Sequence, residues 1–594
     1  MSDSSSRLSF TNPILPGFYP DPSICRAGDD YFLVNSSFEY FPGVPVFHSR
    51  DLWHWRQVGH CLTRPSQLPL KGVRASGGIF APTIRHHDGT FYMITTNVSA
   101  GGNFIVSTRD PFGEWSEPIW VAQGGIDPSL CFDDGRVYLT STGQGPDPDN
   151  PARLVAGIVQ SEIDPATGTL LTEPRLIWAG TGGSYPEGPH LYHIGDLYYL
   201  MIAEGGTEFG HTETLARSRS PWGPWEPWPH NPILTHRSTN EPIQGTGHAD
   251  LVEAADGSWW LVCLGFRPVG VTRTHHLGRE TFLAPVVWDS DGWPRVGDGG
   301  RVKLEMEAPR LTPVEWEAAP ERDDFDRPAL GLAWNFMGNP SASDWSLTER
   351  PGWLSLHGNA RSLDDGAGVA FIGRRQQHFN GEVKALLDFM PDSAGQEAGL
   401  TVWMSPRHYA ALFVSFADGQ RFVSVRRRIG SLSAKVARRP LPAGPVTLFA
   451  RAYRTVTQLG IQSGDQGVVI LDTFENCFLS SEVAGGFTGI YFALYASGNG
   501  SNNVPAAHVD WLDYRGLEGS TQIGLDTPMH QIIVDPAALA LVARYVPELA
   551  NGINEWAAHS TLADWVSMNA SQFPVDTLSA LAQEFKQLGA QSEG

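Results

Sequence analysis

The sequence predicts a mainly β protein: a propeller of repeated blades, then an antiparallel β-sandwich, then a short C-terminal helical tail. Three observations predict it. A turn followed by an aromatic strand returns five times within residues 1–315, short alternating strands fill 316–516, and helical periodicity is confined to 517–594. The 594 residues exceed what one hydrophobic core usually supports, so several domains are expected. Gly 64, Pro 44 and 20 Trp describe a turn-rich β chain with many flat apolar faces, suited to packing sheets and to stacking on sugar rings.

The repeated segments read AGDDYFLVNSS, HDGTFYMITTN, DDGRVYLTST, IGDLYYLMIAEGG and ADGSWWLVCLG. In each, Gly or Asp supplies a tight turn, and the β-branched or aromatic residues after it favour a pleated strand. Anchored on Tyr31, Phe91, Val137, Leu197 and Trp259, the copies are 60, 46, 60 and 62 residues apart, which leaves room for about four short strands per blade.

Just upstream lie YPDPSI, FAPTI, IDPSL, YPEGPHL and TGHADL, each containing the Ile or Leu that leads into the turn. Counting back three places from Ile24, Ile84, Leu130 and Leu251 reaches Asp21, Ala81, Asp127 and His248. Counting back four from Leu191 reaches Glu187, one place out of register. Matching positions at the starts of innermost strands surround one axis in a propeller, so Asp21, Asp127 and Glu187 are expected to converge. A lone Asp-Pro is ordinary turn chemistry. Three carboxylates in matching places point to an acidic site, because gathered acids repel one another unless the repulsion is used. Pro20 and Pro22 would hold the backbone that presents Asp21.

Near residue 315 the repeat gives way to GWLSLHG, GEVKALLDF, AGLTVWMS, YAALFVSFADG, RFVSVRRR, PVTLFARAY and HVDWLDYRG, the alternation of an antiparallel sandwich. In the tail, Asp535 reads as a helix cap with Pro536 in the first helical position. Leu578, Leu581, Ala582, Phe585 and Leu588 share one helical face.

A net charge of −22 disfavours nucleic acid or an anionic membrane as the main partner and fits a neutral small molecule or polymer. Cys25, Cys61, Cys131, Cys263 and Cys477 are scattered and odd in number, which suggests neither a disulfide framework nor a zinc site. The start, MSDSSSRLSF, lacks a basic segment followed by an apolar run, and no long apolar stretch occurs, so a cytoplasmic location is expected.

The chain resembles glycoside hydrolase family 43, in its two-domain β-xylosidase and α-L-arabinofuranosidase branch. The resemblance rests on NPILPGFYPDPSICRAGDDYFLVNSSFEYFPGVPVFHSRDLWHW, SGGIFAP, GIDPSL, YPEGPHLY, GHADLV, HLGRETFLAPV and RDDFD, spread over roughly residues 10–516. It implies a five-bladed propeller, a sandwich, and hydrolysis with inversion. Asp21 would be the general base, Glu187 the general acid, and Asp127 the residue that orients Glu187 and raises its pKa. The residues agree with that chemistry: an inverting hydrolase needs one carboxylate to deprotonate water and another to protonate the leaving oxygen. The order of the roles comes from the resemblance.

The resemblance also implies that Arg279 contacts sugar hydroxyls, that Phe38 and Phe80 wall the terminal sugar, and that Phe487, on a sandwich loop reaching over the propeller, closes one side of the pocket. Relatives often carry Trp in place of Phe80 and Asp in place of Thr83, so the pentose preferred stays open here. His248 has two readings, support of a structural calcium ion on the axis or simple hydrogen bonding, since one histidine is a poor site for a hard cation. No cofactor is needed for the chemistry. The function expected is exo-acting release of terminal β-D-xylose, α-L-arabinofuranose or both from xylo-oligosaccharides or arabinoxylan fragments; the alternatives are an endo-arabinanase and a non-catalytic carbohydrate-binding propeller. Relatives are often homo-oligomers, but no interface is legible in the sequence.

Overall fold

Each repeat folds into one antiparallel sheet with its first strand innermost. The computed structural model describes residues 8–517 apart from 147–149, 151, 271 and 463–466, and within the tail 524–592 apart from 526, 528, 534, 548–560 and 569–576. The innermost strands are Ser23–Ala27, Thr83–His87, Ser129–Asp133, Glu187–Ile194 and Gln244–Glu253, which open blades I to V. Each packs against the next, and the fifth returns to the first. Turn chemistry sets the hairpins: Asp88–Gly89 and Asp134–Gly135 have positive φ at both residues, the turn whose twist matches paired strands.

The ring is closed by the chain start, where Ser9–Thr11 pairs antiparallel with Glu305–Glu307. Asn12 Nδ2 adds bonds to the carbonyls of Leu283 (2.9 Å) and Lys303 (3.0 Å).

Below the rim, one polar network joins all five innermost strands. Arg85 donates to both oxygens of Asp250 at 2.7 and 3.1 Å. Ser23 Oγ (2.6 Å) and Tyr192 Oη (2.7 Å) also donate to Asp250, while Arg85 Nη2 and Ser129 Oγ lie 2.8 and 3.0 Å from His190 Nδ1. Asp250 is fully buried, and Arg85 beside it holds its carboxyl far below the usual range despite that burial. Ser23, Ser129 and Asp250 each follow by two places the residue that the repeat aligns at the top of the strand, so they share its face one layer down.

The second domain is a sandwich of two eight-stranded sheets. Alternation is visible in Gly381–Asp388, where every second residue is buried. One sheet runs from the edge strand Leu432–Pro440 through to Asn335–Met337, and its last member, Tyr40–Phe41, comes from the propeller. Hence the core is shared: Val34, Phe41 and Val46 pack in one cluster with Phe336, Leu354 and Val402. Across the same junction Arg375 Nε donates to the Phe18 carbonyl (2.7 Å) and Nη1 to Asn335 Oδ1 (2.7 Å).

The tail is a small helical cluster of its own. Asp535 caps Pro536–Val542 by accepting from the amides of Ala537 and Ala538, and Leu581 and Phe585 of Thr577–Ser592 pack on Leu541 and Val542. The side chain of Leu578 lies outside the described residues.

Removing one partner of a buried ion pair leaves the other uncompensated, so Asp250→Ala should cost about 3–5 kcal/mol of stability. A thermal melt of the full chain against wild type measures it. The Asp250 contribution is present above the ordinary carboxylate range and is lost as pH falls through acid values, because its folded pKa is depressed.

Candidate active site

The strand starts above this network carry the acids. Asp21 has φ +52, Asp127 +55, Gly188 +57 and His248 +49, so the same left-handed backbone recurs in four blades. All four stand three places before the aligned Ile or Leu. In blade IV the register position is therefore Gly188, and Glu187 precedes it, which accounts for the offset seen in the sequence. The pairing of Glu187–Ile194 with Leu197–Glu204 shifts between Glu187 and His190, so the acid is carried on an irregularity at the strand's start. Glycine relieves crowding there: a Cβ would stand 3.1 Å from the His248 ring, closer than side chains ordinarily approach.

Asp21 is held from several sides. Asn35 Nδ2 bonds to the carbonyls of Tyr19 (3.0 Å) and Pro20 (2.9 Å), fixing the segment the prolines stiffen. Ser36 Oγ donates to Asp21 Oδ2, and Arg279 Nη1 donates to Oδ1 at 2.8 Å. With donors on both oxygens, the carboxylate is presented as an acceptor. The same Arg279 nitrogen reaches Thr207 Oγ1 (3.0 Å), its Nη2 donates to the carbonyl of Phe487 (3.3 Å), and its Nε has no partner among the described residues.

Asp127 Oδ2 accepts from the Gly188 amide at 3.1 Å, so it grips the backbone next to Glu187. Burial, then the charges of Glu187 and Asp21, push the Asp127 carboxyl well up. Burial, then the charge of Asp21, push Glu187 up to about 7, with Arg279 opposing. The three acids thus feel one another inside a single low-dielectric space.

Three phenylalanines form a wall beside them. Phe38, itself at φ +49, packs on Phe80 with ring centroids 5.2 Å apart and stacks on Phe487 at 5.9 Å; Phe80 meets Phe487 edge-on at 5.9 Å. The Arg279 guanidinium lies 5.7 Å from the Phe38 ring and 5.6 Å from that of Phe487. The residues singled out in the sequence, two from blade I, others from every further blade and one from the sandwich, are brought to one place.

His248 is buried with Nδ1 3.9 Å from Asp21 Oδ1, and burial lowers its pKa, so it faces the acids as a neutral ring. Among the described residues no three His, Cys, Asp or Glu side chains gather to hold an ion. His248 by itself offers no coordination set for a hard cation.

Sequence reasoning missed Thr207 and Ser36, which bond to Arg279 and Asp21, and Ser76, whose Oγ accepts from the Phe487 amide at 2.9 Å. Thr207 carries no motif signal, whereas Ser36 opens the SSF that ends in the wall residue Phe38. Tyr185 was missed too: it is 72 % exposed at φ +54, two places before Glu187, and its ring lies 3.3 Å from where a Cβ on Gly206 would be.

Comparison with known proteins bears on this site. The profile of glycosyl hydrolases family 43 matches residues 10–294, and that of the beta xylosidase C-terminal Concanavalin A-like domain matches 322–515. A Bacteroides ovatus protein named non-reducing end alpha-L-arabinofuranosidase BoGH43B is 47% identical over 521 residues, covering 87% of this chain and 96% of that one. A Butyrivibrio fibrisolvens xylosidase/arabinosidase is 39% identical over 505 residues, covering 83% and 96%. The solved structure of Bacteroides ovatus Xyloglucan PUL GH43B superimposes with a TM-score of 0.81 at 46% identity, covering 86% of this chain and all of that one.

Because folding raises the Glu187 pKa, the folded chain binds more protons than the unfolded one between about 4.5 and 7, and stability falls as pH rises through that window. Thermal melts from pH 4.5 to 7 should show Glu187→Gln gaining on wild type as pH increases; a constant difference between the two would contradict the assignment.

Proposed function

The chain belongs to glycoside hydrolase family 43, and from that premise we propose that it removes single terminal pentoses, α-L-arabinofuranose or β-D-xylose, from the non-reducing ends of oligosaccharides, with inversion at the anomeric carbon. The observation that carries this reading is the wall made by Phe487: a sandwich residue bonded to Arg279 beside Asp21 blocks one side of the acids, which suits a chain end better than a chain interior. An endo-arabinanase would need that side open. A non-catalytic binding propeller would have less use for three acids gathered at matching strand starts, one of them gripping the backbone beside another.

In this reading Asp21 takes the proton of an attacking water. Arg279 and Ser36 aim its oxygens, and inversion follows from attack on the face opposite the leaving group. Glu187 gives its proton to the glycosidic oxygen as the bond breaks; its raised pKa keeps that proton in place near neutral pH. Asp127 holds the Gly188 amide and so orients Glu187, while its own charge state is tied to that of its neighbour. The Phe38, Phe80 and Phe487 rings give the flat apolar faces that one sugar ring packs against, and Nε of Arg279, without a partner among the described residues, supplies a donor for a hydroxyl. Arabinofuranose and xylopyranose can offer similar hydroxyl arrangements, and the relatives' names include both. The reaction as drawn needs only these side chains.

Wild type should hydrolyse at least one of nitrophenyl α-L-arabinofuranoside and nitrophenyl β-D-xyloside, and NMR of the first product formed should show the inverted anomer. Retention would rule out the assignment of Asp21 as base. Turnover of unactivated oligosaccharides should fall about 10²–10⁴-fold in Asp21→Asn and in Glu187→Gln, with binding largely kept. For wild type, kcat should decline as pH rises through about 7, where Glu187 loses its proton. Dialysis against EDTA should leave activity unchanged; loss restored by calcium would assign His248 to an ion.

A further inference from the structure

The wall residue Phe487 is held by a part of the propeller that takes no part in the reaction. Its amide donates to Ser76 Oγ at 2.9 Å, and the Ser76 amide donates to Glu39 Oε2 at 3.0 Å. Beyond Phe487 the same line continues through its carbonyl to Arg279 and from Arg279 to Asp21. One hydrogen-bonded chain therefore runs from Glu39, beside the strand that joins the two domains, to the carboxylate read as the base.

Several features are hard to explain without a use for this contact. Glu39 is only 3 % exposed, and a carboxylate placed among aromatic residues is a costly way to pack a junction. Its neighbours Phe38 and Tyr40 belong to the apolar cluster that contains Phe18, Trp403 and Tyr491. Ser76 sits at φ +57, a backbone that serine rarely adopts, and it is buried. Gly486 has the space it needs only because it lacks a side chain: a Cβ there would stand 2.6 Å from Ser76 Oγ. Strain on one side and a missing side chain on the other let the two segments touch.

The loop's flanks are fixed elsewhere. The amide of Ser481 donates to the His275 carbonyl, that of Ile490 donates to the His276 carbonyl, and Glu482 bonds the His275 ring at 2.6 Å, all in the blade V segment that leads to Arg279. The segment between them crosses the pocket's side to Ser76, on the link between blades I and II. Without that far contact the Phe487 ring would still pack on Phe38 and Phe80, but its backbone would keep, among the described residues, the hydrogen bond to Arg279 alone.

Building on the pentosidase reading above, we propose that Glu39 and Ser76 form a clasp that positions Phe487 against the terminal sugar, making both of them positioning residues for substrate selection at the chain end.

A double-mutant cycle of Ser76→Ala and Phe487→Ala tests this, read both by kinetics on the better nitrophenyl pentoside and by amide exchange over 485–489. Ser76→Ala should lower kcat/KM about tenfold, mostly through KM, which is the loss of one hydrogen bond that orders a binding wall. Phe487→Ala should lower it further, and the double variant should be no worse than Phe487→Ala. Exchange at the Phe487 amide should quicken in Ser76→Ala and in Glu39→Ala, while Glu39→Gln, which keeps an acceptor for Ser76, should stay within about threefold of wild type in kcat/KM. Additive losses in the double variant, or unaltered exchange at Phe487 in Ser76→Ala, would overturn the clasp. Should Glu39→Ala fail to fold, Ser76→Ala carries the test. Should wild type cleave neither pentoside, the substrate reading falls, and exchange still judges the clasp.

Discussion

The buried pair of Arg85 and Asp250 is the constraint on which the remaining architecture turns. Five innermost strands leave a channel along the axis, and a channel lined with backbone and short side chains would fill with water. Arg85 spans it, and its guanidinium meets Asp250 with two bonds while Ser23, Ser129, His190 and Tyr192 take up the remaining donors and acceptors. A buried pair of this kind contributes less to stability than to uniqueness when every partner is satisfied. Here the uniqueness is a fixed height for each strand. The residues two places up, Asp21, Asp127, Gly188 and His248, then emerge at one level around the axis.

That level is where the chemistry is concentrated, and its electrostatics follow from placing acids in a space that water enters from one side. Repulsion among three carboxylates would scatter them on a flexible surface. Held at strand starts, Asp21 and Asp127 on a left-handed residue and Glu187 just before one, they cannot move apart, and the strain of those φ values is borne by the sheets below. Burial with like charges nearby raises Glu187 and Asp127, while Arg279, the cation that opposes both shifts, is bonded to Asp21. Three acids alike in chemistry are thus given different partners by their surroundings.

The sandwich belongs to the site because its sheet includes a propeller strand. Tyr40–Phe41 extends it, and Phe38, two places earlier, forms part of the phenylalanine wall. A short stretch therefore serves the domain junction and the pocket together, so that Phe487 arrives on a body already registered to the acids rather than on a tethered neighbour.

Much of this was legible in the chain. Turn-strand repeats depend on local propensity, which is written residue by residue, and counting from each Ile or Leu located Asp21, Asp127 and His248 and placed Glu187 one residue off. Asp535 and Pro536 announced their helix for the same local reason. What the sequence could not decide were contacts between segments hundreds of residues apart: that Gly188 rather than Glu187 holds the repeat position, that Arg85 closes the axis, and that Ser76 meets Phe487. Those depend on the register of strands in a closed ring and on the packing of one domain against another, and long-range geometry of that kind leaves no periodic mark on the residues that make it.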